Sequence, residues 1–188
     1  TSGTLSFADV DTSDVVNAAP LEQVTTGGTY TGPLPTEAEL IDMFDASGTL
    51  AGADQKTANG LDWAFDSGSE AFDDIPEGET LTLTYTVQVE DPHGATDTQN
   101  VTITIQGTND APEILSSVPD QNDQDASTIT NLDVSDYFDD PDTGDALSFS
   151  ATNLPPGLNI DPITGIISGT PDNSASQGGN SGVYSVIV

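Results

Sequence analysis

Leu81-Thr82-Leu83-Thr84-Tyr85-Thr86-Val87-Gln88-Val89-Glu90 is the stretch whose reading decides the fold. Apolar side chains at every second position alternate with Thr, Gln and Glu, the period of a strand with one face on a core and one in water. After Asp91-Pro92-His93-Gly94 the alternation resumes, with Val101, Ile103 and Ile105 set against Thr102, Thr104 and Gln106. Two such runs joined by a turn predict a long antiparallel hairpin. Eleven residues at ~3.3 Å each make strands of roughly 35 Å, enough to run from one pole of a small domain to the other.

Elsewhere the pattern predicts shorter pieces. Leu61 to Phe65 reads as a strand with Trp63 in a sandwich core, Leu147 to Ser150 as a further strand, and Tyr184 to Val188 as a strand pattern at the end of the chain. One short helix is expected, with Thr36 as N-cap, Glu39 three residues on, apolar Leu40, Ile41, Met43 and Phe44, and Gly48 as its stop. Gly27-Gly28, Gly32-Pro33 and Asn59-Gly60 are expected to mark turns between brief strands.

Composition narrows the function. There are 32 Asp plus Glu against one basic residue, Lys56. Partners that need neutralising by Lys and Arg, such as nucleic acid or an anionic membrane, are therefore excluded. A disordered acidic chain is argued against by 34% hydrophobic residues in alternating runs. Two carboxylates ~4 Å apart repel by about 4 kcal/mol at an effective dielectric near 20, so clustered carboxylates need cations. Cysteine is absent, which leaves bound metal as the staple for small exported β domains. Hard oxygen ligands without His or Cys clusters point to calcium. No apolar run approaches the ~18 residues of a membrane span, no signal peptide opens the sequence, and Thr1 reads as an internal cut.

An internal repeat sets the organisation. Phe7-Ala8-Asp9-Val10-Asp11-Thr12-Ser13-Asp14 matches Phe138-Asp139-Asp140-Pro141-Asp142-Thr143-Gly144-Asp145, and Tyr85 to Val89 matches Tyr184 to Val188. The first pair is 131 positions apart and the second 99, so the first unit holds 32 more residues between these landmarks, the helix among them. Gly107-Thr108-Asn109-Asp110-Ala111-Pro112 reads as a linker. The expected division is a domain over 1–108, a calcium-binding linker over 109–113 and a second domain over 114–188.

The hairpin places the acids. Its first strand starts near Glu79 and its second returns to Asn109 and Asp110, so Glu77 or Glu79 and the linker share one pole. With domains stacked head to tail, the Asp140-Pro141-Asp142 turn faces the same linker, and the converging oxygens suit calcium's six to eight ligands. The repeat puts Asp9 and Asp11 at the opposite pole with Asp91, as half of another site. An EF-hand does not fit, because Asp9 to Pro20 and Asp140 to Ala151 lack the Gly at loop position six and the closing Glu.

Asn109-Asp110-Ala111-Pro112 resembles the interdomain calcium motif of cadherins, Asp9-x-Asp11 and Asp140-x-Asp142 their D-x-D motif, and Asp91 the aspartate between their last two strands. Glu79 stands roughly where a cadherin glutamate precedes the penultimate strand. The first domain, with L-S-F-A-D-V-D, L-D-W-A-F and E-G-E-T-L-T-L-T-Y-T-V, is similar to VCBS repeats of giant RTX-type bacterial adhesins. The second, with Y-F-D-D-P-D-T-G-D-A-L-S-F-S-A and L-P-P-G-L-N-I-D-P-I-T-G-I-I-S-G-T-P, resembles dystroglycan-type cadherin-like domains. No D-R-E stands before Glu79, the first strand of domain 1 is missing from the pattern, and domain 2 stops before its last strand.

The resemblance implies two tandem all-β, Ig-like or cadherin-like Greek-key sandwiches, the first with a short helical insertion. It implies a non-enzymatic, calcium-dependent extender of a secreted adhesin at the bacterial surface or in a biofilm. Its partners would be neighbouring domains of the same chain, with surface glycans or other cells reached through the full-length protein. The fragment itself is expected to be monomeric. A glycosidase would need a particular carboxylate pair, and so many acids make such a pair uninformative. His93 lies in a tight turn, and no G-x-S-x-G elbow occurs. A carbohydrate-binding module is the alternative, since Trp63 and the tyrosines could stack on sugars.

Overall fold

The computed structural model describes residues 1–7, 15–51 and 59–188. It is an all-β, Ig-like protein in two compact units, Thr1–Asn109 and Asp110–Val188. In the first unit, β1 (Ser2–Phe7), β5 (Asn59–Phe65) and β3 (Phe44–Asp45) form one antiparallel sheet in the order β1-β5-β3. The other sheet takes β4 (Gly48–Ala51), β2 (Val15–Gly28), β6 (Thr80–Glu90) and β7 (Thr96–Gln106) in the order β4-β2-β6-β7.

The hairpin is there as the alternation predicts. β6 and β7 pair over eleven residues each, from Thr80 opposite Gln106 to Glu90 opposite Thr96. Leu81, Leu83, Tyr85, Val87 and Val89 are all buried, and they share one core with Leu5, Phe7 and Leu61 of the facing sheet. At the end of the hairpin the backbone N–H of Gly107 donates to the carbonyl of Glu79 at 3.0 Å. A Cβ at Gly107 would lie 2.2 Å from the carbonyls of Ile75 and Pro76, so only glycine lets the chain leave the sheet there.

Several local expectations fail for identifiable reasons. The helix α1 covers Glu37–Asp42 only. Thr36 caps it with Glu39 in a capping box as the motif requires, but Met43 ends it and Gly48 begins β4. Phe44 leaves the helix because it gains more as a strand residue, opposite Phe65 and stacked on Tyr85 at 4.4 Å. Asn59-Gly60 opens β5 and is no turn. Gly27-Gly28 does end a strand, but that strand, β2, runs for fourteen residues, with an irregularity between Pro20 and Val24 that hides its period.

Tyr85 ties the layers together. It is 2% exposed, and its hydroxyl donates to the carbonyl of Leu40 at 2.8 Å. Burial pushes its pKa from 10.0 to about 12. The neutral form is favoured in the fold, so the stability it contributes is complete below pH 10.0 and is lost as pH rises toward about 12. Tyr85→Phe is expected to reduce stability at neutral pH by about 1 kcal/mol and to flatten the alkaline loss. Urea unfolding across this window would show both. An unchanged alkaline slope in the variant would assign the loss to other groups.

The second unit is built from short pieces: β8 (Glu113–Ile114) with β10 (Phe138–Asp139), and β11 (Leu158–Ile160), β12 (Ile166–Gly169) and β9 (Leu132–Asp133) in the order β11-β12-β9. Ile129, Val134 and Ile167 form its core, with Phe149, Leu158 and Ile160 packed against them. Leu147 to Ser150, expected as a strand, joins no ladder, and Phe149 N–H bonds instead to the carbonyl of Pro162 at 2.9 Å. Tyr184 to Val188 likewise forms no strand. It contributes one bridge, Ile187 with Thr152.

Candidate metal centre

The acidic loop follows directly from β10. Asp140 accepts the backbone N–H of Asp142 on Oδ1 at 3.1 Å, and the N–H of Asp145 returns to the carbonyl of Asp142 at 3.1 Å. Gly144 takes φ +95, the left-handed conformation that closes this turn without strain. The loop thereby turns Asp142 inward: it is 2% exposed, and no other charged residue is buried among the described residues. Its Oδ2 accepts the backbone N–H of Asp110 at 2.8 Å. Its Oδ1 is also buried and accepts no hydrogen bond.

One carboxylate oxygen each from Asp140, Asp142 and Asp145 lies within 4.8 Å of the others. Asp140 is half-buried and Asp145 exposed. At that separation two charges repel by about 3 to 4 kcal/mol at an effective dielectric near 20. Asp140 and Asp145 also border a depression of about 290 Å³ whose apolar wall includes Phe138, Leu147 and Phe149. A buried anion with an unbonded oxygen beside two more carboxylates is a costly arrangement for the protein alone. A cation resolves it. Calcium bonds of about 2.3 to 2.6 Å let two ligands of one ion stand up to about 5 Å apart, the range in which these oxygens lie, and the donor set is oxygen only.

Residues 111–188 match the family described as "Putative Ig domain". The acidic loop thus lies inside an Ig-like domain, a class common in extracellular and surface proteins and typically without enzymatic activity. No curated protein matches the chain. Among the described residues no helix is long and apolar enough to cross a membrane.

The other expected ligands are placed as follows. Glu77 is exposed and Glu79 half-buried at the end of the hairpin where Gly107 meets the Glu79 carbonyl, and Asn109, also exposed, closes that unit. Asp110 opens the Ig-like unit and joins Asp142 through its backbone. Asp9 and Asp11 lie outside the described residues. Asp145 was not among the expected ligands. Its signal was present, since the eight-residue repeat ends in Asp both times, at Asp14 and Asp145.

Asp91 stands at the other end of the hairpin with a local task. Its Oδ1 accepts the N–H groups of His93 and Ala95, each at 2.8 Å. These bonds, that of Ala95 foremost, hold its carboxyl below the usual range. Asp91→Ala is expected to speed amide hydrogen exchange at His93 and Ala95 while leaving calcium binding by the chain unchanged. A loss of calcium binding would mean that Asp91 is a ligand rather than a turn clamp. Trp63, the possible sugar platform, is half-buried against Phe44 at 5.9 Å, and its ring lies within 2.7 Å of where a Cβ on Gly3 would stand.

Proposed function

We propose that this chain is a calcium-dependent extender segment of an extracellular bacterial adhesin, in which calcium rigidifies the junction between the two units. The observation that carries this reading is the buried, unbonded Oδ1 of Asp142, a residue whose carboxylate clusters with those of Asp140 and Asp145. The Asp110 N–H to Asp142 bond supports the mechanical part, because it fastens the first residue of the second unit to the same carboxylate that meets the metal. Calcium on Asp140, Asp142 and Asp145 would hold that carboxylate in place and so anchor the linker. Glu77, Glu79 and Asn109, from the preceding unit, are the residues proposed to complete the coordination.

Without metal, the carboxylates at the junction repel and the linker loses its anchor. A series of such units would be compliant where calcium is scarce and stiff in calcium-rich surroundings, with ligand-gripping modules elsewhere in the full-length protein. Small-angle scattering tests this. Calcium should lengthen the maximum dimension and narrow the spread of shapes relative to chelator. Identical, narrow distributions in both would leave calcium no stiffening role. Retention on a glycan array would favour a carbohydrate-binding module instead.

A further inference from the structure

The chain has net charge −31, yet Thr98 to Asn109 carries no charged residue at all. Most of that stretch is β7, the outer strand of the β4-β2-β6-β7 sheet. Outer strands expose a row of backbone donors and acceptors, and proteins blunt them with shortness, charge, proline or bulges. The other described outer strands of the first unit are short, with β4 four residues long, β1 six and β3 two. β7 is eleven residues long, keeps unbroken register with β6, and contains no lysine or proline. Its single charge is Asp97, next to its first residue. Among the described residues no strand pairs with its outer edge.

The solvent face beside the middle of that edge carries no charge and is tied by side-chain hydrogen bonds. Thr84 and Thr102 hydroxyls meet at 3.2 Å, and the Thr86 hydroxyl donates to the side-chain carbonyl of Asn100 at 2.9 Å. We propose that β7 pairs antiparallel with β7 of a second copy of this chain, about a two-fold axis at Val101, joining two four-stranded sheets into one. In this register Asn100 of one copy faces Thr102 of the other, Thr98 faces Thr104, and Asp97 faces Ile105. Even positions meet even positions, so the threonine face continues across the axis and Val101, Ile103 and Ile105 stay on the core side. No like charges stand opposite each other.

A second copy is the occupant this edge fits for the same reason. Two chains of charge −31 meeting elsewhere set carboxylate against carboxylate, whereas here neither strand has an acid at the centre. Remaining long-range repulsion is screened within about 8 Å at physiological salt, so pairing strengthens with ionic strength. The monomer expected from the sequence would then hold only at low concentration. The proposal does not depend on the calcium reading.

Sedimentation velocity on the 188-residue chain, in chelator at physiological salt so that no metal bridges two molecules, tests it. The wild type is expected to show a reversible, concentration-dependent dimer. Asn100→Lys with Thr102→Lys puts lysine opposite lysine at both central pairs, and Asn100→Glu with Thr102→Glu does the same with glutamate. Each double variant alone is expected to dissociate at least about tenfold more readily, and an equimolar mixture of the two to recover the dimer. Both positions are exposed, so circular dichroism should show an unaltered fold. A wild type that stays monomeric at all concentrations, a lysine variant that dimerises as well as wild type, or a mixture that stays monomeric would each overturn the proposal.

Discussion

Asp142→Asn is expected to stabilise the chain in chelator and to destabilise it, relative to wild type, in calcium. In chelator the wild type keeps a carboxylate that is 2% exposed, with one oxygen unbonded and two further carboxyl oxygens within 4.8 Å. The asparagine side chain removes that charge. Its carbonyl can still accept the Asp110 N–H, and its amide can donate to Asp140 or Asp145, for a gain of about 1 to 3 kcal/mol. In calcium at a hundredfold excess over the dissociation constant, the wild type gains about 2.7 kcal/mol by linkage. The variant, with a weakened site, forgoes most of it. Magnesium should do little, since it demands a tight octahedron and gives up its waters reluctantly. Scanning calorimetry in chelator, magnesium and calcium would show the order of the two melting points reverse. A variant less stable than wild type in all three would mean that Asp142 serves packing alone.

Leu83→Ala should unfold the first unit far more easily and leave the second alone. Leu83 is 0% exposed and sits on β6 opposite Ile103, in the core shared by both sheets. Removing three carbons there leaves a cavity among strands that cannot close in, a loss of about 2 to 5 kcal/mol. Thr104→Ala, on the exposed face of the neighbouring strand, should change stability by under about 0.5 kcal/mol. Urea unfolding followed by Trp63 fluorescence reports the first unit. The calcium heat of Leu83→Ala should match wild type under native conditions, because the acidic loop belongs to the other unit. A loss below about 1 kcal/mol would contradict the core assignment.

What the sequence reveals follows from which forces are periodic. β6 is legible because one face meets a core along most of its length, and β7 because its second half does, so every second residue there is apolar. β2 is not, because Pro20 and the register shift before Val24 break its period and its outer positions include Ala and Val. The start of α1 is written in a local capping box, whereas its end is decided by Phe44 finding Phe65 and Tyr85, partners distant in sequence. In the second unit the alternation of Leu147 to Ser150 promises a strand, but a strand also needs a neighbour, and Phe149 is held by a loop carbonyl. The acids of the loop are visible as D-x-D. Nothing local says that Asp142 is the buried one, since that depends on Asp110 reaching it from 32 residues away.

Isothermal titration of calcium into the wild-type chain and into Asp142→Asn tests the central claim most directly, because the difference between the two isolates the metal at the buried carboxylate. Saturable calcium binding by the wild type, a loss of at least about tenfold in affinity in Asp142→Asn and a smaller loss in Asp145→Asn are the expected results. No saturable binding by the wild type, or equal affinity in Asp142→Asn, would contradict a calcium site built on Asp140, Asp142 and Asp145.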